Sequence, residues 1–189
     1  MSGHLQAVLF DLDGVIVDTA RLHYQAWKKL ADQEKIPFDQ QINERLKGVS
    51  REQSLEIILE RASRTYTTEE KKQMSDSKNA WYVEALQTLN EHDILPGVHA
   101  LLHELQEHHI KTAICSASKN TRTILENLGI TAQFDTIVTG HDTVRTKPDP
   151  QVFLIAAERL EIQPSDCVIV EDSAAGIEAA RRCNMRSIG

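Results

Sequence analysis

The sequence predicts an α/β fold, a doubly wound parallel sheet carrying an inserted α-helical cap, and three observations lead there. A β-branched and aromatic run at 5–10 stops at Asp11-Leu12-Asp13-Gly14, as a buried strand feeding a loop does. From Thr19 to about Asp93 the pattern is helical, with no strand signal in 67–89. After Pro96-Gly97 strand and helix segments alternate, which is the rhythm of a parallel sheet covered by crossover helices.

Within the helical stretch, Leu55, Ile58, Leu59 and Ala62 have the i, i+3, i+4, i+7 spacing of one helix face. This divides the chain into a Rossmann-like core at 1–16 and 94–189 and a helical cap at 17–93. In the second half, Val98, Leu101, Leu102 and Leu105 mark a helix, 110–115 a strand and 121–128 another helix. Strands at 134–138, 167–170 and 186–188 then alternate with helices at 151–160 and 174–182. The sequence contains no internal repeat and no low-complexity segment.

Composition narrows the function classes. The 189 residues are 41% hydrophobic and 26% charged, an ordinary globular profile long enough for a full core. Every uninterrupted apolar run falls far short of the ~20 residues that span a bilayer, so no membrane partner is expected. Met1–His4 lacks a basic region and the run at 5–10 is too short for a signal peptide, so the expected location is cytoplasmic. Cys115, Cys167 and Cys183 are widely spaced and read as small buried hydrophobes. With 28 acidic against 21 basic residues, a net charge of −7 and no basic cluster, nucleic acid is not an expected partner.

In open parallel sheets ligands bind outside the strand C-termini. There the sequence delivers Asp11 and Asp13, Ser116, Lys147, and Glu171 with Asp172, a combination that core packing does not select. The carboxylates suit a hard cation such as Mg²⁺, and Lys147 with that cation would neutralise a transferring phosphoryl group. With its charge so screened, Asp11 is the candidate nucleophile, and Asp13 the candidate acid and base.

Taken alone, each motif also has a structural reading. Asp11-Leu12-Asp13-Gly14 is a good turn, Lys147-Pro148-Asp149-Pro150 a solvated one, and Glu171-Asp172-Ser173 a helix cap. A Ca²⁺ loop does not fit, because Ile16 and Leu22 stand where such a loop needs Gly and Glu. Ser116-Ala117-Ser118-Lys119-Asn120 is at once a plausible cap and a phosphate cradle. His99 and His103 share i, i+4 spacing without a third ligand and read as a polar helix surface, as do His108 and His109.

Taken together, these residues resemble the haloacid dehalogenase superfamily of phosphotransferases, whose four motifs appear in order as Asp11-x-Asp13-Gly14, Ser116, Lys147 and Glu171-Asp172. The resemblance covers essentially the whole chain. It extends to the superfamily's hexose-phosphate mutases through 13–19, His23, Trp27, 47–52, Lys78-Asn79 and 116–120. It implies catalytic roles for Asp11, Asp13, Ser116 and Lys147, and Mg²⁺ held by Asp11, Asp13, Glu171 and Asp172. It assigns Gly48, Val49, Ser50 and Arg51 to the sugar's non-transferring phosphate, and Arg51 suits that task as a bidentate anion clamp.

Thr19, His23, Trp27, Ser54 and Lys78 are the further substrate contacts the resemblance implies in the cap; Ser116, Ala117, Ser118, Lys119 and Asn120 are those in the core. His23 and Trp27 also share an i, i+4 face and read equally as helix packing, and Lys78 as a solvated helix residue. The expected reaction exchanges β-glucose 1-phosphate and glucose 6-phosphate through phospho-Asp11 and a bisphosphate intermediate, in a monomer. A sugar-phosphate phosphatase and a non-catalytic sugar-phosphate binder are the alternatives. The superfamily usually continues with further sheet and helix past the position of Gly189, so a shortened sheet is expected.

Overall fold

The computed structural model describes residues 5–189, so the reading of Met1–His4 lies outside the described residues. The first strand, β1, is Ala7–Phe10. Ala7 and Leu9 pack into one hydrophobic cluster, Val8 and Phe10 into another. A strand covered on both faces has no polar side to alternate with, which is why this run is continuously apolar.

Four helices follow: α1 (Ala20–Gln33), α2 (Gln40–Glu44), α3 (Arg51–Leu59) and α4 (Thr68–Leu86). Ser50-x-x-Gln53 and Thr67-x-x-Glu70 form capping boxes at the starts of α3 and α4. Trp27, Leu30, Ile36, Phe38, Ile42, Leu55, Ile58 and Met74 give the insert a core cluster of its own. Its two links to the sheet lie side by side, with Val17 bridging to Ile94 and Leu95 N donating to Ile16 O at 2.9 Å.

The remainder runs α5 (Val98–Glu107), β2 (Lys111–Cys115), α6 (Thr121–Asn127), β3 (Thr136–Val138), α7 (Gln151–Leu160), β4 (Cys167–Val170), α8 (Ala174–Arg182) and β5 (Arg186–Ile188). The sheet is parallel throughout, in the order β3-β2-β1-β4-β5. The chain winds outward from β1 through β2 to β3, then returns on the other side of β1 as β4. The switch in direction therefore falls at the C-terminal ends of β1 and β4, where a crevice opens.

Several bounds differ from expectation. The first strand starts at Ala7 and the third at Thr136, and Ala62 lies past the end of α3. Leu101 faces outward from α5 while Leu102 and Leu105 are buried, and His99 and His103 are exposed as expected. Cys115 and Cys167 are buried and Cys183 half-buried.

Gly176 in α8 is fixed by what it touches: a Cβ there would collide with the Glu171 carboxylate. Gly176→Ala must push Glu171 out of place, so we expect a loss of about 1–3 kcal/mol from overpacking. Thermal denaturation should then show a melting temperature several degrees lower.

Candidate active site

At the crevice, Lys147 donates to Asp11 Oδ1 at 2.7 Å and to Glu171 Oε2 at 2.6 Å. All three residues are buried, with Lys147 and Glu171 at 1% exposure and Asp11 at 6%. Glu171 Oε1 accepts from Ser173 N at 3.1 Å and Ser173 Oγ at 2.6 Å, so both of its oxygens are engaged. Ser173 Oγ in turn caps α8 by accepting from Gly176 N at 3.0 Å. Oxygens of Asp11, Glu171 and Asp172 lie within 4.8 Å of one another and form a candidate cation cluster. Asp13 is not in that group; its carboxylate accepts from Thr19 Oγ1, which also accepts from Tyr82 OH at 3.1 Å.

Burial and like charges raise these acids. Burial lifts Asp11 to about 7 against the pull of the Lys147 ammonium, with Glu171 adding to the rise. Asp13 is lifted to about 6 by burial, opposed by the Thr19 hydrogen bond and reinforced by Asp172. Asp172 is raised by burial and by Glu171. Carboxylates here outnumber the ammonium bonded to them, and that excess of negative charge adds to the rise that burial causes. A hard divalent cation would offset it, and the oxygen-only donor set fits one.

Gly14 brings the first loop against the last. Its φ is +82°, a conformation glycine adopts freely, and a Cβ there would meet the Asp172 carboxylate. Ser116, after β2, is buried, and its Oγ accepts from Ser118 N at 3.1 Å. Ser118 Oγ accepts from Asn120 N at the same distance, curling 116–120 around the site.

A cavity of about 270 Å³ opens between these loops and the insert. Asp11, Asp13 and Asp172 reach it from the sheet side, with the whole of 116–120. From the insert it receives His23, Trp27, Gly48, Val49, Arg51, Ser54 and Lys78. Ser50 and Thr19 do not line it: Ser50 caps α3 behind Arg51, and Thr19 is buried beneath Asp13. Lys147 and Glu171 also stay off the cavity wall, behind Asp11.

Lys78 is 2% exposed, 3.0 Å from His23 Nδ1 and over the Trp27 and Tyr82 rings. Burial and Arg51 lower Lys78 to about 7, while burial and Lys78 hold His23 well below its usual value. Lys78 is thus a buried group, not the solvated residue its sequence context equally allowed. Asn43, Leu46 and Asp18 also line the cavity and were not singled out from sequence. Asn43 and Leu46 come from the short α2 and the turn after it, which carry no motif or long periodicity that could flag them.

A parallel sheet with a helical insert and a buried Asp-Lys-Glu triad at its switch point defines a phosphoryl-transfer class of site. The chain belongs to the haloacid dehalogenase-like hydrolase family, whose model matches residues 8–189. It is 45% identical over 187 residues to β-phosphoglucomutase of Bacillus subtilis (strain 168), covering 98% of this chain and 83% of that protein. The crystal structure of β-phosphoglucomutase from Clostridium difficile superposes with a TM-score of 0.94 at 43% identity, covering 98% of this chain and 84% of the other. Similarity to a phosphorylated carbohydrates phosphatase of Thermotoga maritima is lower, 30% identity over 97% of this chain and 84% of that protein.

Proposed function

We propose that this chain is a β-phosphoglucomutase, an intramolecular phosphotransferase that interconverts β-D-glucose 1-phosphate and glucose 6-phosphate through phospho-Asp11 and β-glucose 1,6-bisphosphate. The observation that carries this reading is the contrast between two aspartates two positions apart. Asp11 is locked against Lys147, whereas Asp13 sits on the cavity wall, raised to about 6 and steadied by Thr19. One is placed to attack phosphorus, the other to hold and release a proton.

The phosphoenzyme donates its phosphoryl group to a sugar hydroxyl whose proton Asp13 takes. In the other half-reaction Asp13 returns a proton to the leaving oxygen. Lys147 faces the negative charge at Asp11 throughout, and Ser116 to Asn120 supply hydroxyl and amide donors to phosphoryl oxygens. Arg51, with Gly48 and Val49, holds the phosphate that is not transferred, and Ser50 serves them by capping the helix that Arg51 begins; Ser54, His23, Trp27 and Lys78 complete the sugar side.

Mg²⁺ is the proposed cation, with Asp11 and Asp172 as its ligands and Asp13 close by. Glu171, whose oxygens also accept from Lys147 and Ser173, would join them directly or through water. When bound, Mg²⁺ supplies charge neutralisation for the phosphoryl group.

We assign the core to 1–16 and 94–189 and the cap to 17–93, and propose a monomer. No helix among the described residues is long and apolar enough to cross a membrane, and a cytoplasmic location agrees with a sugar-phosphate substrate. Water excluded from the cavity between cap and core favours transfer to sugar over hydrolysis.

The test is an assay with β-glucose 1-phosphate, Mg²⁺ and a trace of β-glucose 1,6-bisphosphate that follows glucose 6-phosphate and inorganic phosphate together. Glucose 6-phosphate should form without matching phosphate, and chelating the metal should stop it. Phosphate as the main product would make the chain a sugar-phosphate phosphatase, and absence of any phosphoenzyme or turnover would make it a binder.

A further inference from the structure

Several polar contacts tie the insert to the sheet loops. Glu52 pairs with Lys119 at 2.8 Å and Asn79 with Asn120 at 2.9 Å, and all but Asn79 line the cavity. A third contact joins residues that do not line it: Thr146 Oγ1 donates to Gln53 Oε1. Each of these two residues has a second bond that reaches the site. Gln53 closes the capping box of α3, accepting from Ser50 N at 3.4 Å while its own N donates to Ser50 Oγ at 3.2 Å. Arg51 is the first residue of that helix. Thr146 closes the turn around Lys147, its carbonyl accepting from Asp149 N at 2.9 Å.

We propose that Gln53 and Thr146 are positioning residues that couple the Arg51 end of the insert to the Lys147 turn, so that the ammonium is held in place when the insert sits over the sheet. This inference rests on the mutase reading for its assay. One amide oxygen serves both the helix cap and the cross-layer bond, so a shift of α3 is felt at Thr146, one residue from the lysine that bonds Asp11. Neither side chain touches the cavity: Thr146 acts on the placement of Lys147 alone, and Gln53 acts on it while also holding the Ser50 cap beside Arg51.

The test is a double-mutant cycle with Gln53→Met and Thr146→Val, with Thr146→Ser as the variant that keeps the hydroxyl. Thr146→Val should lower kcat about tenfold, the effect of a lost positioning hydrogen bond, with KM for β-glucose 1-phosphate nearly unchanged, and Gln53→Met, which also opens the Ser50 cap, should lower kcat at least as far. The double variant should fall no further than Gln53→Met alone, and Thr146→Ser should stay near the parent. Amide exchange at Asp149 should accelerate in Gln53→Met, although residue 53 is remote in sequence. Losses that multiply, a rise in KM with kcat kept, or unchanged exchange at Asp149 would overturn the coupling. If the parent chain itself fails to convert β-glucose 1-phosphate, the mutase reading falls, and the exchange rates alone decide the coupling.

Discussion

Asp11→Asn should remove turnover of phosphate esters by roughly 10⁵-fold or more, the scale expected when a covalent nucleophile is lost, without unfolding the protein. The carboxylate is held both on the cavity and against a buried ammonium, at 2.7 Å from Lys147 Nζ. An amide of the same shape cannot attack phosphorus, and its oxygen still accepts from Lys147. The fold should tolerate the change because burial already lifts the Asp11 carboxyl to about 7, with Glu171 and Asp13 adding to the rise. Removing one of several crowded acids relieves repulsion, and Glu171 remains bonded to Lys147 at 2.6 Å. Intact mass after incubation with β-glucose 1,6-bisphosphate should show a phosphoryl adduct on the parent chain and none on Asp11→Asn, with melting temperatures equal within a few degrees. An adduct on the variant would move the nucleophile elsewhere.

Where the chain marks its segments with strong punctuation, the sequence reading reaches the observed bounds. The helices at 151–160 and 174–182 and the strands at 167–170 and 186–188 have the limits expected. Pro150 precedes one of these helices, and Ser173 caps another through Gly176 N. The start of β1 was less legible, because Leu5 places an apolar residue before the strand, across Gln6, while the sheet pairing begins only at Ala7. Asp11, Asp13, Ser116 and Asp172 were legible for a topological reason: a parallel sheet gathers its strand ends, so residues far apart in sequence need only follow strands to meet.

What the sequence hid was direction and long-range pairing. Its spacing places Asp13 beside the nucleophile, yet its turn toward Thr19 depends on Tyr82, which arrives from α4. Lys78 looks like any surface lysine in a charged helix until the Trp27 and Tyr82 rings are packed around it. The Gln53 to Thr146 bond joins positions 93 residues apart, and neither residue belongs to one of the four catalytic motifs. Such features arise from packing the insert against the sheet loops, which no local periodicity records.

Lys147→Met should be among the most damaging single changes to stability. The ammonium is 1% exposed and is shared by two buried carboxylates. Removing one partner of a buried ion pair costs about 3–5 kcal/mol, because the charge left behind has neither water nor partner. The loss should depend on pH in a definite direction. An unfolded Asp11 titrates near 3.8, and in the parent fold it is raised to about 7 even with Lys147 pulling it down. Without the ammonium its folded value rises further. Between the unfolded and folded values the native state binds more protons than the unfolded chain, so stability falls as pH rises through that window. Parent and variant share that fall up to about pH 7, so the deficit of Lys147→Met should be smallest below about pH 7 and grow above it, where the parent's Asp11 has ionised and the variant's has not. Denaturant titrations from about pH 5 to about pH 9 would check it, and a deficit that shrinks or stays flat above about pH 7 would contradict the charge balance drawn for the triad. Activity should fall by at least about 10²–10³-fold, as for loss of one preorganised donor at a site of developing charge. Added Mg²⁺ should recover part of the stability, by binding the native carboxylates alone, but not the rate, because it would not replace the lysine's hydrogen bonds to Asp11 and Glu171.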